Sequence, residues 1–189
     1  MITARFQDAL VYATRLHAAQ LRKGTQIPYV SHLLAVASLV LEHGGNEDEA
    51  IAALLHDAAE DQGGQATLDE IRRRFGDNVA QIVDGCTDTT VTPKPPWKER
   101  KEKYLAHLPE ASPSVLLVSL ADKLHNAGAI LFDYRVLGDA LWSHFNATSK
   151  QDVLWYYRSL VKTFRRTAAP IPVVDELDRV VSELERFAL

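Results

Sequence analysis

The sequence predicts an all-α fold, a compact helical bundle. Apolar residues recur at helical spacing along nearly the whole chain. Glycines, prolines and capping residues punctuate that pattern. No stretch alternates apolar and polar residues long enough to build a sheet. The first helix carries Phe6, Ala9, Leu10, Ala13, Leu16 and His17, and fades near Gly24, with Ile27-Pro28 in a loop. Ser31 is a suitable N-cap for a second helix, His32 to Glu42, closed by Gly44-Gly45. Asn46 caps a third. Its acidic first turn, Glu47-Asp48-Glu49, suits the positive end of a helix dipole, and it runs through Ala50 to about Glu60 before Gly63-Gly64. Thr67 with Glu70 reads as a capping box for a short helix ending at Gly76, and Asp77 opens the next through Val79, Ile82 and Val83. From Thr87 to Trp97 four threonines and three prolines interrupt the pattern, as expected of an exposed loop. Glu99 to Leu108 is a charged helix. Ser112-Pro113 starts the next, which continues from Val115 to about Phe132. Gly138 and Asn146 punctuate the stretch after it, before an amphipathic helix from Gln151 to Arg166 and a last one from Pro172 to Phe187.

Composition narrows the class. The 189 residues hold 21 Lys+Arg against 25 Asp+Glu, a net charge of −4, and 47% are hydrophobic. Such values exclude a disordered chain and predict one domain over residues 1–189. Cys86 is the single cysteine and has no internal disulfide partner. Mild acidity speaks against a nucleic-acid footprint. The longest unbroken apolar run, Ala50 to Leu55, is far below the roughly 20 residues of a membrane span. Arg5, Asp8, Arg15 and His17 interrupt the first twenty residues and argue against a signal peptide. The expectation is a cytoplasmic protein with no nucleic-acid or membrane partner, and a homo-oligomer is compatible with it.

Two clusters carry chemistry. In His56-Asp57-Ala58-Ala59-Glu60-Asp61, helical geometry brings His56 near Glu60 and Asp57 near Asp61, so four ionisable groups share a sector of about 140°. Such crowding is costly unless the groups are solvated, paired or bound to a cation. In Leu120-Ala121-Asp122-Lys123-Leu124-His125-Asn126, the residues Asp122, His125 and Asn126 share a face of a helix whose Val115-Leu116-Leu117-Val118 stretch marks it as central. His32 precedes the apolar Leu33, Leu34, Val36 and Leu39 and is a candidate to point inward. These residues together suggest a metal site of His32, His56, Asp57 and Asp122. Two imidazoles and two carboxylates suit Mn, Fe or Zn, and Glu60 and Asp61 one turn on suit general acid/base work on a bound water. Each piece alone also fits a plainer role: a salt-bridged helix face for the His-Asp pair, a core histidine for His32, a polar helix end for Glu60-Asp61.

In order, His32, His56-Asp57 and Asp122 resemble the HD-domain metal-dependent phosphohydrolases. The likeness extends to the RelA/SpoT-homologue hydrolase domain and the small alarmone hydrolases. Gln20-Leu21-Arg22-Lys23-Gly24 with Ile27-Pro28-Tyr29-Val30-Ser31-His32 resembles that family's opening. Ala53 to Asp61 resembles its second motif, Phe75-Gly76 with Asp84-Gly85-Cys86-Thr87 its third, and Leu120 to Asn126 its fourth. These matches place a motif-bearing core at about residues 5–135, with C-terminal helices at about 149–187.

The resemblance implies a helical bundle in which His32, His56, Asp57 and Asp122 hold a manganese ion, other divalent metals being alternatives. It implies that Glu60 and Asp61 assist the attacking water and that Arg22, Lys23 and Asn126 contact a small-molecule nucleotide. The implied reaction removes pyrophosphate from the 3′ position of guanosine tetra- or pentaphosphate. The chain departs from the pattern at Leu33, where the family usually has proline. It departs again at Ala127-Gly128-Ala129, where an arginine-containing stretch is common, and a cationic contact is absent there. The charged helix, with Lys98, Arg100, Lys101 and Lys103, is either a source of phosphate contacts or a solvated face. Trp155-Tyr156-Tyr157 is either pocket wall or core. Three alternatives stay open: an HD nucleotidase or pyrophosphatase acting on another nucleotide, a binding module that holds metal or nucleotide without turnover, and a helical interaction domain with no metal.

Overall fold

The computed structural model describes residues 1–91, 93–145 and 149–188; Asn146, and Thr92 among the four threonines of the proline-rich loop, lie outside the described residues. These residues form α1 (Ala4–Leu16), α2 (Val30–Glu42), α3 (Glu47–Leu55), α4 (Ala58–Asp61), α5 (Gln65–Phe75), α6 (Asp77–Cys86), α7 (Trp97–His107), α8 (Pro113–Leu137), α9 (Lys150–Phe164) and α10 (Ile171–Ala188). Two 3-10 segments cover Leu108–Glu110 and Gly138–His144. The only strand-like pairing among the described residues is an isolated antiparallel bridge, Leu21 to Pro28.

Several boundaries follow the expected chemistry. Asn46 accepts from the Glu49 amide while Glu49 reaches back to the Asn46 amide, a complete capping box for α3. Ser112 caps α8, with Pro113 in its first turn.

Three expectations need correction. The third helix does not run unbroken to Glu60: α3 ends at Leu55 and α4 begins at Ala58. The His56 ring Nδ1 lies 2.8 Å from the Ala53 carbonyl, which an unbroken helix would give to the Asp57 amide. Asp57 accordingly sits at φ −96°, ψ −2°, between helix and turn. Ser31 is not a cap: the chain turns at Pro28, whose carbonyl takes the Ser31 amide, and Tyr29 occupies the N-cap of α2 without a side-chain bond. Thr67 lies inside α5, which starts after Gly64 at φ +63°. Its hydroxyl donates to the Gln62 carbonyl, and Glu70 pairs with Arg73 and Arg74 instead of capping.

The core is two apolar clusters sharing α8. One gathers α1 to α6 around Leu33, Val36, Ile51, Leu54 and Ile71. The other gathers α7 to α10 around Leu116, Leu120, Leu160, Phe164 and Leu177. α8 serves both, with Val118 in the first and Leu120 in the second, so it must be apolar nearly all round. A stretch within Pro113–His144 is long and apolar enough to cross a membrane, yet 67% of it is buried inside the bundle, as a central helix requires. Sandwiching α8 between α3 and α6 on one side and α9 and α10 on the other carries Asp122 to the heart of the molecule.

Candidate metal centre and its cleft

Four side chains from three elements converge. His32 enters from the first turn of α2, His56 and Asp57 from the break between α3 and α4, and Asp122 from the middle of α8. His32 Nε2 lies 3.2 Å from Asp122 Oδ1 and 3.6 Å from Asp57 Oδ2. His56 Nε2 lies 3.0 Å from Asp57 Oδ2 and 3.5 Å from Asp122 Oδ1. Both Nε2 atoms are buried and make no hydrogen bond. The ligand atoms of His32, His56 and Asp57 lie within 4.8 Å of one another. Orphaned imidazole nitrogens facing carboxylate oxygens fit a divalent cation, since all four atoms offer lone pairs to a common centre. The other ring nitrogens are anchored, His56 Nδ1 on the Ala53 carbonyl and His32 Nδ1 2.8 Å from His125 Nδ1, which fixes ring orientation as metal ligands require.

The electrostatics agree. Burial resists charge on His56, but Asp57 and Asp122 outweigh it and raise its pKa. Burial would push both carboxyls up. Instead His56 holds Asp57, and Lys123 with His56 holds Asp122, well below the usual carboxylate range. The centre therefore demands positive charge. Burial, reinforced by His32 and Arg22, lowers His125 to about 4, so it stands neutral beside His32 at physiological pH.

The remaining predicted residues ring this centre. Glu60 and Asp61, on the single turn α4, are joined by Lys94 of the proline-rich loop at 2.8 and 3.4 Å. Arg22 donates to Asn126 Oδ1 at 2.8 Å, and Asn126 donates to Asp122 Oδ1 at 2.5 Å, so the residues predicted for substrate and for metal form one chain. Lys23 lines the cleft, and burial lowers its pKa. The hairpin bearing both cations is closed by Arg22 N–H to the Ile27 carbonyl and Tyr29 N–H to the Gln20 carbonyl, at 2.8 and 2.9 Å. Gly24, at φ +74°, packs so tightly on His144 that a Cβ there would meet its ring at 2.3 Å.

Two cavities meet here. A cleft of about 1280 Å³ runs from Arg22 and Lys23 past His125 and Gly128 to Tyr157 and Arg179. A chamber of about 170 Å³ holds the acidic groups and extends to Lys101 and Lys123. Tyr29, Asp61 and Asn126 line both and form the throat between them.

Sequence reasoning missed several participants. Tyr29 donates to Asp57 Oδ2 at 2.5 Å; its place three residues before His32 was the available signal. Gln20 donates to Asp61 at 2.9 Å and is itself held by Gln62 and His17 at 2.5 and 2.7 Å. Nothing local marks it, because its partner is 41 residues away. On the charged helix, Arg100 and Lys101 turn inward to the buried Asp88, whereas Lys103 stays exposed on Glu99 and Lys98 lies over the Trp155 ring. Tyr156 and Tyr157 are core residues, and Tyr157 also walls the cleft.

An all-helical bundle with a His-Asp break facing an aspartate on its central helix is the architecture of HD-domain hydrolases. Residues 9–134 match the family described as the HD domain, and the chain belongs to it. Among curated relatives, the guanosine-3′,5′-bis(diphosphate) 3′-pyrophosphohydrolase MESH1 of Xenopus tropicalis is 41% identical over 63% of this chain and 65% of its own. The human MESH1 is 39% identical over 65% of this chain and 68% of its own. The Danio rerio MESH1 is 34% identical over 89% of both chains. A solved structure described as "A metazoan ortholog of SpoT hydrolyzes ppGpp and plays a role in starvation responses" superposes with a TM-score of 0.78 at 25% identity, covering 100% of this chain and 99% of that one.

Proposed function

We propose that this chain is a cytoplasmic phosphohydrolase that removes pyrophosphate from the 3′ position of guanosine tetra- or pentaphosphate, with manganese as its cation. The observation that carries the reading is the convergence of two partnerless imidazole nitrogens and two carboxylates beside an acid pair, at the throat of a cleft with a cationic mouth. The named activity of the MESH1 relatives supplies the substrate.

When bound, the cation supplies Lewis acidity toward water and a phosphoryl oxygen. His32, His56, Asp57 and Asp122 are its ligands, and Tyr29 and Asn126 hold the two carboxylates in place. Glu60 and Asp61 take a proton from the attacking water. The water oxygen bonds to the phosphorus attached to O3′, that P–O3′ bond breaks, and the protonated member of the acid pair returns a proton to O3′. Arg22 and Lys23 offset phosphate charge at the mouth.

The test is hydrolysis of guanosine tetraphosphate with manganese, with products separated by chromatography. Guanosine diphosphate and pyrophosphate are expected. Asp57→Ala and Asp122→Ala should each abolish metal retention and turnover with helicity kept, and full activity in either would sink the ligand assignment. A second reading, an HD nucleotidase on another nucleotide, is favoured by the open cleft wall at Gly128, where a Cβ would meet nothing within 4 Å. Orthophosphate release across a nucleotide panel would select it.

A further inference from the structure

The small chamber has a second end. Beyond the metal-centre carboxylates Asp57 and Asp122 it reaches Asp88, Lys101, Tyr104 and Lys123, a region to which the proposed reaction gives no role. Lys101 comes from α7 and Lys123 from α8, and both are largely buried. Each ammonium has three donors. Lys101 gives one to Asp88 at 2.8 Å, and Lys123 gives one to Asp122. The remaining donors have no acceptor among the described residues. Burial pulls the Lys101 pKa down, Asp88 only partly restores it, and the nearby Lys123 charge lowers it further. Lys101 Nζ lies 5.1 Å from the Tyr156 ring centroid, and the Tyr156 hydroxyl is buried with no hydrogen-bond partner. The spare cationic donors lining this space outnumber the one orphaned acceptor there, Asp88 Oδ1, and call for an anion with several acceptor oxygens.

Size and charge define that anion. At about 170 Å³ the chamber is smaller than the roughly 300–1,000 Å³ of pockets that hold whole ligands, whereas the cleft of about 1280 Å³ is ample for a nucleoside. The chamber lining carries five carboxylates and two lysines, and Lys94 and Arg100 pair with three of those carboxylates from outside. That balance is one negative charge in excess, which a divalent cation converts to one positive.

We infer that this end of the chamber is the leaving-group subsite. The nucleoside lies in the cleft, its 3′ substituent passes the throat at Tyr29, Asp61 and Asn126, and the distal phosphoryl of the pyrophosphate rests on Lys101 and Lys123. Capture of the anion is metal-dependent. The inference rests on the substrate reading above and gives that substrate a direction.

Calorimetry on the manganese-loaded protein tests it, with inorganic pyrophosphate and guanosine 5′-diphosphate as separate probes. Lys101→Met leaves Asp88 held by Arg100, so no buried charge is stranded. It should weaken pyrophosphate roughly 10- to 100-fold, the loss of a charged hydrogen bond, and leave guanosine diphosphate within about 2-fold. Arg22→Met should do the reverse. Lys101→Arg, which keeps the cation, should retain pyrophosphate within about 10-fold and guards against a misfolded methionine variant. Metal-stripped protein should bind no pyrophosphate. Unchanged pyrophosphate affinity in Lys101→Met, or equal loss of both probes in it, would overturn the subsite. Lys101-dependent pyrophosphate binding in a protein that neither binds guanosine diphosphate nor turns over guanosine tetraphosphate would sink the substrate reading and leave the subsite standing.

Discussion

At the scale of single residues, the centre is assembled from groups whose free atoms have nowhere else to go. Gln20 exemplifies the supporting cast. Its amide donates to Asp61 while Gln62 and His17 hold its oxygen, so it orients a carboxylate on a helix of one turn. Gln20→Leu should lower kcat roughly 10-fold or more with KM and manganese retention little changed, read from steady-state kinetics and metal analysis. A matched loss in KM would show that Gln20 serves binding rather than position. Cys86 offers a different probe. Burial pushes its thiol up to about 11, so at pH 8 about one molecule in a thousand is thiolate. Labelling by a thiol reagent should therefore be slow in native protein at pH 8, accelerate toward pH 11, and become fast on unfolding. The candidate ligands were legible in the sequence because their spacing is local: a His-Asp pair, an Asp one turn from Asn126, a histidine opening an apolar helix. Gln20 and Tyr29 were not legible in these roles, because their partners are distant in sequence and only packing brings them together; Lys101 was a candidate phosphate contact on its charged helix, but only packing separates it from the exposed Lys103.

At the scale of elements, the junction between α3 and α4 is decisive. Periodicity reads through it, since Ala58 and Ala59 are as helix-compatible as the residues before them. Yet His56 spends a ring nitrogen on the Ala53 carbonyl and the chain turns at Asp57. Propensity is silent on such a break, because a side chain competing for a backbone acceptor leaves no trace in composition. The start of α3 was readable, since a capping box is written within four residues. Asn46→Ala should cost about 1 kcal/mol in urea unfolding while manganese retention persists, because the buried face of α3 fixes His56 independently of its first turn. Loss of the metal site in that variant would mean that the cap sets the register of the whole helix.

At the scale of the molecule, α8 ties both apolar clusters together and delivers Asp122 between them. The all-α class and the central place of this helix were evident from its unbroken apolar run; the sharing of the core between two clusters was not, since it depends on which neighbours cover which side. Because the candidate ligands come from α2, the α3–α4 junction and α8, cation binding should stabilise the assembly. At about 100 times the dissociation constant, manganese should add roughly 2.7 kcal/mol and raise Tm by roughly 5–10 °C, measured by thermal melts against metal-stripped protein. No shift with manganese would argue against a preformed centre. The contact of Gly24 with His144 has a further meaning. Arg22 and Lys23 ride on a hairpin seated against a segment beyond residue 134, where the match to the HD domain ends, and Tyr157 and Arg179 in the same cleft also lie past that point. The cleft wall is thus drawn both from the matched stretch and from the segment after it. Grafting the region after residue 134 from one relative onto another would rebuild the far wall of the cleft and the seat of the Arg22–Lys23 hairpin, and leave the residues of the metal centre in place.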